Sequence, residues 1–170
     1  MNTLFPIERE ICNRLDETAR ELYPKEVNDS VWTVQFKQSL FDLARENDLQ
    51  PWGTGAGEDC PEWLWDVCWA KLGRNRAGKY DWKDFRGVYL ACEIEWRHDD
   101  ANLLNDFLKL VVARADYRLF VFGCSKEQDA EEKFEMLIRH CPVSGGARYL
   151  ALAVPDKHPA KYLPKKAWTL

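Results

Sequence analysis

Apolar residues recur along this chain first with the period of a helix and then with the period of a strand. Between Pro6 and Pro24, the residues Ile7, Ile11, Leu15 and Leu22 share one side, which predicts an amphipathic helix with Glu8, Asp16, Glu17 and Glu21 turned to solvent. Ser30 is placed to cap a second helix reaching about Asn47, with Trp32, Phe36, Leu40 and Leu43 inward, although Val31 to Phe36 also suits a strand. Pro51, Gly53, Gly55 and Gly57 then break the pattern and leave room for one short, irregular strand. From there the period drops to two. Glu62 to Trp69 and Gly87 to Trp96 read as strands, hairpin neighbours joined by a polar, glycine-containing connection. Asn102 to Ala115 returns to helical spacing, and Arg118 to Phe122 suits a buried strand. Ser125 with Gln128 forms a capping-box pattern for a helix to about His140, and Gly145-Gly146 turns into a last strand, Arg148 to Val154.

The order α, α, β, β, β, α, β, α, β predicts an α/β (α+β) chain whose central mixed sheet is flanked by helices on both faces. Residues 1–29 form a helical extension, 30–154 the core and 155–170 a basic tail. A length of 170 residues calls for one domain, and 46% apolar residues with 8 Trp suffice for its core. The net charge of −4 excludes a protein that coats nucleic acid by bulk charge, so any basic surface is local. Charges interrupt the N-terminal stretch where a leader would be apolar, and no run approaches the ~18 to 20 apolar residues of a membrane span. The expectation is a cytoplasmic protein with no membrane partner. Six Cys form no C-x-x-C pair and are expected as reduced packing residues, and a zinc site using His98 or His140 would lack paired ligand spacing.

Chemistry enters through strand alternation. Asp66 shares a face with Glu62, Leu64 and Cys68, while Glu93 and Glu95 share a face with Tyr89 and Ala91. If the two strands pair with their most apolar faces on one side, Asp66, Glu93 and Glu95 converge, and oxygen-only ligation of this kind suits Mg²⁺ or Mn²⁺. The polar face of a half-exposed strand explains the same two glutamates. Lys109 follows on the next helix, where with Asn102, Asn105 and Asp106 it also marks an ordinary polar stripe.

Asp66 in EWLWD, Glu93 and Glu95 in LACEIEW, Lys109 in DFLKL and the apolar run RLFVF together resemble the PD-(D/E)XK, or restriction-endonuclease-like, nuclease superfamily over about Trp32 to Val154. The resemblance implies a core of one helix, three antiparallel strands, a helix and a further strand. It implies Mg²⁺-dependent phosphodiester hydrolysis, with Asp66, Glu93 and Glu95 at the metal and Lys109 assisting. The family usually has Lys two residues after the Glu, where this chain has Glu95, so Lys109 stands in from the helix. The same departure fits a second expectation, a catalytically inactive member of the fold acting as a nucleic-acid-binding or protein-binding regulatory module.

The connection Lys71 to Arg86 sets six basic residues against Asp81 and Asp84. Arg74, Arg76, Lys79 and Lys83 are the candidates for gripping phosphates, with Tyr80 or Trp82 available for stacking, and a solvated hairpin connection is the plain alternative. The tail, with Lys157, Lys161, Lys165 and Lys166 around Tyr162 and Trp168, reads as a nucleic-acid arm or a polar end. DNA is the expected nucleic acid, and cutting both strands together would need a homodimer or a partner protein.

Overall fold

The computed structural model describes residues 3–55, 64–141, 146–157 and 162–169. Helix α1 (Pro6–Leu22) begins with Pro at its first position, and Glu8 reaches back to accept the Phe5 N–H at 2.7 Å. A single 3₁₀ turn at Tyr23–Lys25 leads into α2 (Asp29–Glu46). Asn28, not Ser30, caps this helix by accepting the Val31 N–H at 3.1 Å. The remaining elements are β1 (Gln50–Trp52), β2 (Val67–Arg74), β3 (Tyr80–Glu95), α3 (Asp100–Val111), β4 (Ala115–Cys124), α4 (Asp129–Arg139), β5 (Arg148–Pro155) and β6 (Lys165–Thr169).

The six strands lie side by side in chain order. β1, β2 and β3 form an antiparallel meander, β3, β4 and β5 run parallel with α3 and α4 as crossovers, and β6 returns antiparallel to β5. This is the α+β class with a mixed sheet that the periodicity predicts. α1 and α2 cover one face, over Trp69, Leu90, Leu119, Val121 and Leu150, while α3 and α4 cover the other, over Ala91, Phe120, Phe122 and Ala151. β5 is therefore buried throughout, which is why it reads as an unbroken apolar run and not as an alternation.

Several expectations are corrected. The strand expected at Glu62–Trp69 begins at Val67, after a bend through residues 64–66; Glu62 and Trp63 lie outside the described residues. The expected connection Lys71 to Arg86 is mostly strand, because β2 runs to Arg74 and β3 starts at Tyr80. Only residues 75–79 turn, with the Asn75 carboxamide oxygen accepting the Ala77 and Lys79 N–H groups and Gly78 at φ +76°. This hairpin carries polar side chains yet pairs its backbone, so no apolar alternation marked it. Helix α4 starts at Asp129 with no side-chain cap, and Ser125 Oγ lies instead 3.2 Å from His98 Nδ1.

Two charged groups expected in solvent are buried. Glu8 and Asp16 of α1 are 1% and 3% exposed; Glu8 is gripped by Arg148 at 2.6 and 2.7 Å, and Asp16 accepts the Leu163 N–H at 2.7 Å and pairs with Lys165 at 3.1 Å. The end of the tail is neither arm nor free end. Its last described stretch is β6, where Ala167 and Trp168 enter the core and Lys166 pairs with Glu131.

Candidate active site at the fork between β2 and β3

The last rung joining β2 to β3 is Val67 opposite Cys92, but β3 continues alongside β4 as far as Glu95 opposite Phe122. The strands thus part where the sequence turns acidic. Asp66, in the bend that enters β2, closes the fork by accepting the Ile94 N–H through Oδ2 at 2.9 Å. A neighbouring strand's carbonyl would otherwise fill that role. Its Oδ1 lies 2.9 Å from Lys37 Nζ, which reaches over from the buried side of α2.

Glu93 lies next to Ile94 on the α3 side of β3 and is only 3% exposed. Its Oε2 is 3.1 Å from Lys109 Nζ, and Lys109 also holds Asp106 Oδ1 at 2.7 Å, one helical turn earlier on α3. Burial first, and then the negative charge of Asp66, push the Glu93 carboxyl up to about 7 against the pull of Lys109. Lys109 is partly desolvated, but Asp106 and Glu93 outweigh that and raise its pKa, so the ammonium is charged at any ordinary pH.

Glu95 behaves differently. Burial would raise it, yet Arg97 donates to it from its backbone N–H at 2.8 Å and from its guanidinium at 3.1 and 2.7 Å. These bonds, with one shared with Asp106, hold Glu95 at about 2, while burial and the same shared bond raise Asp106. A chain of contacts therefore runs from Arg97 through Glu95 and Asp106 to Lys109 and Glu93.

The structure thus brings together Asp66, Glu93 and Lys109, and turns Glu95 toward Arg97 and Asp106. Among the described residues no three His, Cys, Asp or Glu side chains form a ready metal-holding group. Mg²⁺, however, is commonly bound by one or two carboxylates, with water and phosphate completing its shell. Asp66 and Glu93 are hard oxygen donors of the type this ion takes, and the Asp66 charge is felt at Glu93. Arg74, Arg76 and Lys79 lie at the opposite end of the hairpin, and Lys83 is exposed on β3.

Sequence reading missed Lys37, Arg97 and Asp106 as members of the site. Lys37 had a signal, because a lysine stands within the stripe Phe36, Leu40, Phe41 and Ala44 and is buried with it. Asp106 stands three residues before Lys109, the spacing of one helical turn. The chain matches no family model, no curated protein and no solved structure at a significant level. None of its described helices is long and apolar enough to cross a membrane.

Proposed function

We propose that this protein hydrolyses phosphodiester bonds of nucleic acid in a divalent-metal-dependent reaction at the β2/β3 fork. The observation that carries the reading is the juxtaposition, at one break in strand pairing, of Asp66 and buried Glu93 with a lysine touching each. The order helix, three antiparallel strands, helix, parallel strand from α2 to β4 supports it, being the core that the PD-(D/E)XK resemblance implies.

Asp66 and Glu93 would hold Mg²⁺ or Mn²⁺. When bound, the ion supplies an activated water and compensates charge on the phosphate oxygens. Lys109, charged and braced by Asp106, is suited to stabilise charge developing on the phosphate and not to accept a proton. Lys37, paired with Asp66 Oδ1, would hold that carboxylate in place from the α2 side. Glu95 acts as a positioning residue, holding Asp106 against Lys109.

Incubation of the protein with DNA and RNA substrates in millimolar Mg²⁺ or Mn²⁺ tests this, alongside calorimetric metal titration. Asp66→Asn and Glu93→Gln should lose metal binding and cleavage while keeping the fold. Lys109→Ala should bind metal and lose about a hundredfold or more in rate. A parent protein that neither binds metal nor cuts would leave the non-catalytic binding module, which the commitment of Glu95 to Arg97 favours.

A further inference from the structure

We propose that the β2–β3 hairpin holds single-stranded nucleic acid by stacking an unpaired base on Trp82. In the β2–β3 register Leu72 faces Phe85, yet the next residue, Gly73, faces Asp81. Trp82, Lys83 and Asp84 are thereby left out of the pairing as a bulge. The bulge folds back so closely that a Cβ on Gly73 would fall 1.7 Å from Asp84 Oδ2, so glycine is the residue this site accepts. Its consequence is to lay Trp82 on Trp52 of β1, with ring centroids 4.7 Å apart and planes within 6°. Phe85 lies beside the same Trp52 ring at 6.2 Å and 9°.

Three nearly coplanar or parallel rings result, and two of them remain in solvent: Trp82 is 52% and Phe85 46% exposed. On the same hairpin, Lys83 beside Trp82 and Arg76 and Lys79 in the turn are exposed and make no ion pair among the described residues, whereas Arg74 and Arg86 are engaged by Asp48 and Asp84. A half-exposed Trp82 ring on a hairpin that also carries these cations complements a ligand that is both aromatic and anionic. Bases in a duplex have their faces covered by neighbours, so only an unpaired base can use such a platform.

The platform is also placed for the fork. Trp52 pairs with Cys68, two residues beyond Asp66, and belongs to the same side of the sheet as Ala91 and α3, the side on which Glu93 meets Lys109. The platform and the fork thus share one face of the sheet. The link to cutting rests on the proposed hydrolysis, whereas the binding does not.

The test is fluorescence anisotropy in chelator, using labelled oligodeoxythymidylate and oligouridylate of about 12 nucleotides, within the site sizes such surfaces cover, and a DNA duplex of equal length. At least one single strand should bind tenfold or more tightly than the duplex, and oligodeoxyuridylate, which differs from oligouridylate in the sugar alone, assigns any preference between the two strands to sugar or base. Trp82→Ala should lower the ratio of single-strand to duplex affinity about tenfold, Trp82→Phe should restore most of it, and Phe85→Ala should lower it less. Arg76→Ala and Lys83→Ala should weaken binding and flatten its salt dependence. Equal affinity for strand and duplex, a ratio unmoved by Trp82→Ala and Phe85→Ala, or no binding of either would overturn the proposal. Trp82-dependent binding without cleavage in Mg²⁺ keeps the platform and removes the hydrolysis, and cleavage indifferent to strandedness and to Trp82 does the reverse.

Discussion

Among the described residues, two places bury acids. Under α1, Glu8 receives two charge-assisted bonds from Arg148 and the Phe5 N–H, while Arg148 also donates to Thr169 Oγ1 at 3.1 Å and the Thr3 carbonyl at 2.9 Å. Every contact there joins opposite charges or a charge to a dipole, and the cluster fastens α1 to β5 and β6. At the fork, Glu93 has one lysine and faces another carboxylate, and burial first, with the Asp66 charge added to it, pushes its carboxyl up to about 7. Burial with full pairing serves the fold, whereas burial beside a like charge leaves a carboxyl that a further cation would relieve, which is what the proposed metal site requires.

The largest effect should come from breaking the saturated cluster. Arg148→Leu leaves Glu8 charged, buried and without its partner, and is expected to cost about 3–5 kcal/mol in urea unfolding. Glu8→Gln combined with Arg148→Met removes both charges and should recover most of that loss. If Arg148→Leu costs under about 1 kcal/mol, the cluster under α1 is not the anchor described.

That anchor was invisible in the sequence for a physical reason. The stripe Ile7, Ile11, Leu15 and Leu22 correctly locates the buried side of α1, but helical phase alone cannot say that Arg148 and Lys165, about 140 residues or more away, come to meet Glu8 and Asp16 at its margin. The sheet was legible wherever one face differed from the other or both were apolar, as in β3 beyond Gly87 and in β4 and β5. It was not legible in the outer hairpin, where backbone pairing alone extends the strands, nor in β6, whose lysines hide a strand that buries Trp168. At the site, Glu93 was read from strand parity, Asp66 from a strand that in the structure begins only at Val67, and Lys109 from the family resemblance. Lys37 carried only the signal of a lysine within the apolar stripe of α2, with nothing to name its partner, and Arg97 carried none, since they arrive from a helix on the other face and from the residues just past the strand's end.

An intermediate effect sharpens the contrast through pH. The native Glu93 carboxyl, at about 7, binds its proton more tightly than the unfolded chain's carboxyl near 4.5. Its contribution to stability is therefore complete below about pH 4.5 and is lost as pH rises through 7, amounting to about 3 kcal/mol at most. Glu95, held at about 2, has the opposite sign: its contribution is present above pH 4.5 and lost as pH falls through 2. In chelator, Glu93→Gln should melt higher than the parent at pH 8 and alike near pH 5. A variant that melts lower at pH 8 would show that Lys109 fully compensates Glu93 and that the like-charge conflict is absent.

The smallest effect isolates what burial itself contributes. Arg14 Nη2 lies 2.7 Å from Glu46 Oε2 and bridges α1 to α2, the same residue types at nearly the same distance as Arg148 and Glu8. The difference is exposure, since the Arg14 and Glu46 side chains are 31% and 53% in solvent. Water already solvates both ions, so separating them leaves no stranded charge, and two long side chains regain freedom when released. Arg14→Ala is accordingly expected to cost about 0.5 kcal/mol in urea unfolding, a loss that shrinks further in high salt as the attraction is screened. A loss of about 2 kcal/mol or more, persisting in salt, would mean that the pair's position between helices and not its desolvation sets its value, and the distinction drawn between the Arg148 cluster and the rest would have to rest on packing instead.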